Sequence, residues 1–272
     1  MIYELNTDWW KEIFDDLYLL TDARSVGDAE VTKKEVDFIQ SALHLDKSSP
    51  ILDLCGGQGR HALELSRRGY CKVTVLDYSD YLIRTGQQED DQQNQNISFI
   101  QGDARNTELA SGSFAGVMVM GGSFGYFVRD EENKKILEES LRILKPGGTF
   151  LLDLPDKGYV LTHFQPFSSH EPGGTIRVTR KRKLEQDVLY CRETVTCSHK
   201  GCLRENTYCI RLYSRDEISR MLQDVGFTGI LFQEDFMDRH TQGDFGTMTN
   251  RMIVKARKQA GRAHENMARY QL

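Results

Sequence analysis

Six cysteines and two tryptophans are few for a chain of 272 residues, and no apolar run approaches the length of a membrane span. Cys55, Cys71, Cys191, Cys197, Cys202 and Cys209 are too scattered for a disulfide scaffold, so free thiols in a reducing cytoplasm are expected. The four between Cys191 and Cys209 lack the paired Cys-x-x-Cys spacing of a structural zinc site, and no metal is expected. Basic charge is not in excess. Lys and Arg number 35 against 40 Asp and Glu, a net charge of −5, which argues against a dedicated nucleic-acid binder and leaves room only for a local basic patch. The first residues, Met1 to Asn6, show no positive start followed by an apolar run, so no secretory leader is expected. There is no internal repeat and no low-complexity segment. What is present, 39% apolar and 28% charged residues, makes a globular chain able to bury a sizeable core.

Trp10, Ile13, Phe14 and Leu17 recur at helical spacing behind Asp8 and predict a helix over 8–20. Thr32-Lys33-Lys34-Glu35 reads as a capping box opening a second helix that ends near Leu43. From residue 50, short β-branched runs alternate with helical segments. Strands are predicted at 50–54, 72–76, 97–101, 114–120 and 148–154, and helices at 59–68, 79–90 and 130–144. Such alternation implies right-handed crossovers and a parallel sheet covered on both faces. Lys145-Pro146-Gly147-Gly148 reads as a turn that stops the last helix.

After Pro155 the pattern changes to period-two alternation. Three antiparallel strands, Thr175–Leu184, Val188–Cys197 and Leu203–Tyr213, are predicted as an inserted meander. A helix at 215–225 and strands at 229–235 and 250–256 then return to the core. The expected organisation is a helical cover over 1–46, a core over 47–155 and 214–257, an inserted β lid over 156–213 and a polar tail over 258–272.

The stretch Pro50-Ile51-Leu52-Asp53-Leu54-Cys55-Gly56-Gly57-Gln58-Gly59-Arg60-His61-Ala62 is a strand, an acid, a glycine-rich turn and a helix start, the form of a nucleotide-type cofactor cradle. Gly57-x-Gly59-x-x-Ala62 also satisfies the loose dinucleotide pattern. Asp53 separates the two readings. In a dinucleotide site the turn meets a pyrophosphate that a carboxylate repels, whereas S-adenosylmethionine brings an ammonium group and no phosphate. Asp77, at the end of the second strand, can accept from ribose hydroxyls, and Asp103, at the end of the third, from an exocyclic adenine amine. After the fourth strand, Gly121-Gly122-Ser123-Phe124-Gly125-Tyr126-Phe127 offers close backbone approach followed by aromatic walls.

Together, Leu52 to Gly59, Asp77, Gly102-Asp103-Ala104 and Leu144 to Gly148 resemble the class I S-adenosylmethionine-dependent methyltransferases. The resemblance implies a Rossmann-like α/β fold: a seven-stranded sheet, mostly parallel, with one antiparallel edge strand near Arg251–Lys255. It assigns Asp53 and the turn of Gly56, Gly57 and Gly59 to the methionine part of the cofactor, Asp77 to the ribose, and Asp103 with the Ala104 amide to adenine, with Cys55, Tyr78 and Gly121 in the same cofactor site. The chain departs from the common Gly-Cys-Gly form at Cys55-Gly56-Gly57.

Methyl transfer from a sulfonium is an in-line displacement and requires no fixed catalytic residue, so the sequence defines the cofactor better than the acceptor. An Asn-Pro-Pro-aromatic motif is absent after the fourth strand; with the acidic charge, this favours a small, polar acceptor over adenine-N6 or glutamine. Trp10, Tyr18, Tyr126, Arg211 and Tyr213 are candidate substrate residues, with Trp9 part of the same cover. Arg177, Arg180, Arg182 and Arg192 are further candidates for an anionic acceptor, and His163, His170, His199 and His240 for a proton acceptor. Competing readings are a tRNA or protein methyltransferase, an NAD-dependent oxidoreductase and a non-catalytic S-adenosylmethionine-binding protein.

Overall fold

The computed structural model describes residues 4–22, 27–93, 95–233 and 249–261. Its main sheet has seven strands: β1 (Ile51–Leu54), β2 (Val73–Asp77), β3 (Ser98–Gln101), β4 (Phe114–Val119), β5 (Leu144–Pro155), β10 (Phe227–Gln233) and β11 (Arg251–Lys258). They run in the order β10-β11-β5-β4-β1-β2-β3. β1 to β5 pair in parallel, while β11 is antiparallel to both β5 and β10, so the reversal falls at one side of the sheet. The four residues of β1 are all buried, as are Gly116 to Val119 of β4, the continuous burial of strands covered on both faces. Helices α2 (Ala29–Leu43), α3 (Arg60–Arg67), α4 (Asp80–Gln93), α5 (Asp130–Ile143) and α7 (Arg215–Val225) cover the sheet. Ile136, Leu137 and Ile143 of α5 pack with Ile218 and Leu222 of α7 on one face; Val36 and Ile39 of α2 pack with Ala62 and Leu65 of α3 on the other.

The insertion forms its own sheet, in the order β6-β7-β8-β9, from β6 (Phe167–His170), β7 (Ile176–Glu185), β8 (Val188–Cys197) and β9 (Gly201–Arg211), after a short helix α6 (Lys157–Thr162). The predicted meander supplies three of these strands. β6 and α6 carry no periodic pattern long enough to announce them.

Four sequence readings change. The predicted helix over 8–20 is a 3₁₀ turn at Trp9–Lys11 and a separate helix α1 (Asp16–Thr21), because Asp15 caps the second piece by accepting from the Tyr18 N–H. The capping box at Thr32 does not form: α2 starts at Ala29 under Asp28, which accepts from Glu30 and Val31, and this frees Glu35 for buried ion pairs. No separate turn follows α5, since Leu144 already begins β5, with Gly147 at φ +79° in its irregular start. The strand predicted over 229–235 spans Phe227–Gln233, and Asp235 lies outside the described residues, as do His240 and most of the predicted tail.

Candidate active site

β1 ends in a turn whose backbone sets the site. Cys55 stands at φ +59°, Gly57 at +59° and Gly59 at +77°, where Gly59 caps the N-terminus of α3. Cys55 therefore holds the left-handed conformation that costs an L residue about 1–2 kcal/mol, the geometric reason a glycine suits this position. A Cβ on Gly56 would lie 2.7 Å from the Asp53 carboxyl carbon, so the turn is folded directly onto that acid.

Asp53 is fully buried, and neither carboxylate oxygen has a hydrogen-bond partner among the described residues. His61 Nδ1 is 3.9 Å away. Burial pushes the Asp53 carboxyl up to about 7, against the pull of Arg60. An orphaned acid pressed under a glycine turn is the feature that an ammonium-bearing ligand above the turn would satisfy, and a pyrophosphate would not.

Asp77, closing β2, accepts from the Gly57 N–H at 2.8 Å and the Ser79 N–H at 2.9 Å. Its carboxyl is raised by burial, against these backbone hydrogen bonds. Asp103, beyond β3, is gripped by Arg105, whose Nη2 lies 2.6 Å from Oδ2, and its carboxyl is held below the usual range: burial alone would raise it, but the Arg105 contacts outweigh that. Arg105 also reaches Glu132 at 2.6 Å and lies over the rings of Trp10 and Phe127, 5.0 and 4.5 Å from their centroids.

Asp77 and Asp103 meet in one cavity of about 650 Å³ of atom-free space, part of it open to solvent. Among its walls are Cys55, Gly57, Asp77, Tyr78, Asp103 and Ala104 from the predicted cofactor set, and Trp10, Tyr18 and Tyr126 from the predicted substrate set. Phe14, Leu82, Ser123 and Phe127 line it too. Asp53, Gly56, Gly59 and Gly121 do not line it. The Gly121 N–H is held by Asp153 at 2.8 Å, Asp153 by Arg251 at 2.6 Å, and Arg251 by Glu35 at 2.5 Å. Glu35 also receives Arg60 and His61. Burial alone would raise the Glu35 carboxyl, but the His61 hydrogen bond and the Arg60 and Arg251 charges hold it far below its ordinary range. His61 is pushed down to about 4 by burial and Arg60.

Arg211 and Tyr213 do not reach this cavity. Both bind Asp130 at the start of α5, at 2.5 and 2.8 Å, and the Tyr213 hydroxyl also accepts from Asn133 at 2.9 Å, so they fasten the insertion to the core. Arg177, Arg180 and Arg192 are likewise paired, with Glu171, with Asp22 and Glu193, and with Glu205. Arg182 reaches the Gln165 carbonyl. His163 stacks on Tyr159, and His170 Nε2 contacts the Thr21 carbonyl at 3.0 Å; neither lines the cavity, nor does His199 on its turn. Sequence reasoning missed Arg105 and Phe14. Arg105 sits two residues past Asp103, a spacing that would have flagged it.

A Rossmann-like sheet with its cavity at the carboxyl ends of β1 to β4 defines a nucleotide-cofactor enzyme of the doubly wound class. A family model described as "Methyltransferase domain" matches residues 51–148. The Bacillus subtilis (strain 168) protein named "Putative methyltransferase YqeM" is 30% identical over 218 residues, 79% of this chain and 86% of that protein. A glycine/sarcosine N-methyltransferase from Aphanothece halophytica is 23% identical over 227 residues, 78% of this chain and 79% of that one. In fold, the chain superposes on the CcbJ methyltransferase of Streptomyces caelestis with a TM-score of 0.73 at 16% identity, covering 95% of this chain and all of that one. The chain belongs to the class I S-adenosylmethionine-dependent methyltransferases. S-adenosylmethionine is its cofactor and methyl transfer its activity.

Proposed function

We propose that this enzyme methylates a small molecule in the cytoplasm, with the cofactor seated in the cavity lined by Cys55, Gly57, Asp77, Tyr78, Asp103 and Ala104. The observation that carries this reading is Asp77: a half-buried carboxylate on the cavity wall, fixed by the backbone of the very turn that begins at Asp53. Its oxygens are placed for ribose hydroxyls. Asp103 and the Ala104 amide serve adenine, and the orphaned Asp53 carboxylate stabilises the cofactor's ammonium from below the turn.

Bound there, the cofactor supplies a methyl carbon already activated by its sulfonium. The acceptor's lone pair would form the new bond as the electron pair of the broken one stays on sulfur, and the acceptor's proton would pass to solvent. The chain's task is alignment and exclusion of water. Trp10, Phe14 and Tyr18 serve the second role by closing the cavity from the N-terminal side.

The net charge of −5 and the paired arginines of the insertion support a small molecule over tRNA. Incubation with labelled S-adenosylmethionine and a metabolite extract is expected to yield labelled low-molecular-weight product, absent with Asp77→Ala. Label found only in tRNA or protein would overturn the reading.

A further inference from the structure

In-line transfer brings the acceptor atom to about 3–3.5 Å from the methyl carbon, so the acceptor's cavity must share a wall with the cofactor's. A second cavity meets this condition. It has about 880 Å³ of atom-free space and shares Trp10, Tyr126 and Phe127 with the first. Resting on the assignment of the first cavity to the cofactor, we propose that the second is the acceptor site, and that it takes a neutral, flat, largely apolar ring compound carrying the nucleophile, rather than an amino acid or an amine-bearing sugar.

The walls argue for a ring. Trp9, Trp10, Tyr126 and Phe127 present aromatic surface, with Leu5 and Val128 beside them. Trp9 and Tyr126 lie 5.0 Å apart at a tilt of 57°, fixed by their own packing instead of waiting on a ligand to order them.

The charges argue for neutrality. The cavity's two basic and two acidic side chains are matched. Arg105 is held between Asp103 and Glu132 at 2.6 Å each, Arg129 approaches Glu132 at 3.6 Å, and Asp8 pairs with Lys11 at 2.9 Å. Among the described residues the ions beside the aromatic walls, Arg105 and Glu132, are already paired, and Arg129 stands mostly in solvent, so a charged acceptor seated against the rings would be desolvated without a counter-ion. A cation is disfavoured further, because Arg105 already lies over Trp10 and Phe127, and Lys11 stands 5.4 Å from the Trp10 centroid. Three arginines of the insertion are likewise already engaged by carboxylates. Arg180 is held by Asp22 and Glu193, Arg204 by Asp15 and Glu193, and Arg211 by Asp130. The polar acceptor expected from sequence is thereby narrowed to one whose polarity lies in a hydroxyl or a ring atom and not in a charge.

The test is calorimetric titration of the protein loaded with S-adenosylhomocysteine, using three probes: 2-naphthol, glycine and glucosamine. The comparison variant is Val128→Arg, which alters a half-exposed wall residue of the second cavity and leaves the first untouched. 2-Naphthol is expected to bind saturably, and at least tenfold more weakly to Val128→Arg, while S-adenosylhomocysteine affinity stays within twofold; glycine and glucosamine are expected to give no binding. Absence of 2-naphthol binding, 2-naphthol binding indifferent to Val128→Arg, or glycine or glucosamine binding that Val128→Arg abolishes would each overturn the proposal. Failure of S-adenosylhomocysteine itself to bind would instead overturn the cofactor assignment on which it rests.

Discussion

Asp53 and Asp77 stand on the neighbouring strands β1 and β2, yet their environments differ: Asp77 is held by backbone N–H groups, while Asp53 has no hydrogen bond among the described residues. The difference sets their predicted behaviour. Replacing Asp77 with Ala removes charge-assisted hydrogen bonds of about 1.5–3 kcal/mol each, so S-adenosylhomocysteine affinity should drop at least tenfold in calorimetry. Asp53 governs pH dependence. Its folded carboxyl, near 7, lies above its unfolded value of 3.8, so the folded state holds the proton more tightly. The stability this contributes is complete below the unfolded value and is lost as pH rises through 7, with a slope of at most about 1.4 kcal/mol per pH unit. Scanning calorimetry should therefore show Asp53→Asn gaining on the parent protein between pH 5 and 8. Ligand affinity should move the other way, tightening over the same range in the parent protein as the carboxylate forms beneath the ligand's ammonium, and staying flat in Asp53→Asn. A stability difference independent of pH would contradict this account of Asp53.

The elements around the site show what sequence can and cannot announce. The strand-turn-helix at 50–65 was legible because its signals are local: an apolar run, an acid, glycines and a helical stripe. Glu35 was misread for the opposite reason. Its neighbourhood looks like a helix start, and only tertiary placement shows it buried among Arg60, His61 and Arg251, which join α2, α3 and β11 beneath the cavity. Glu35→Ala removes the carboxylate shared by Arg60, Arg251 and the neutral His61, and should destabilise the protein by about 3–5 kcal/mol, read as a fall in denaturant midpoint. How the N-terminal segment is held was not legible. Ser79 Oγ donates to the Phe14 carbonyl at 2.6 Å, while Arg204 binds Asp15 at 2.5 Å and Arg180 binds Asp22 at 3.1 Å, from β9 and β7. Arg211 and Tyr213, chosen for their position leading back to the core, do fasten there, on Asp130, and so are not available to a substrate. Because Trp9 and Trp10 are the chain's two tryptophans, its tryptophan emission reports this cover alone. S-adenosylhomocysteine should shift the emission of Trp9→Phe, which keeps the cavity-lining Trp10, and leave that of Trp10→Phe nearly unchanged. Equal responses would place the ligand elsewhere.

For the whole molecule, alternation of strands and helices from residue 50 specified a parallel sheet covered on both faces, while the cofactor and the reversed strand rested on Asp53 and on the resemblance carried by Asp77 and Gly102 to Ala104. The proposed acceptor site was legible only in Trp9, Trp10 and Tyr126. It is assembled from the N-terminal turn, the loop after β4, Arg105 and β9, segments far apart in sequence whose meeting depends on how the insertion packs against the cover. Among the described residues no helix is long and apolar enough to cross a membrane.

The central claim is that the cavity at the carboxyl ends of β1 to β4 holds S-adenosylmethionine through Asp77. It is tested most directly by calorimetric titration of the parent protein and Asp77→Ala with S-adenosylhomocysteine, and of both with NAD. The account predicts saturable, one-to-one S-adenosylhomocysteine binding that Asp77→Ala weakens at least tenfold, with no NAD binding by either. NAD binding without S-adenosylhomocysteine binding, or S-adenosylhomocysteine binding indifferent to Asp77→Ala, would contradict it.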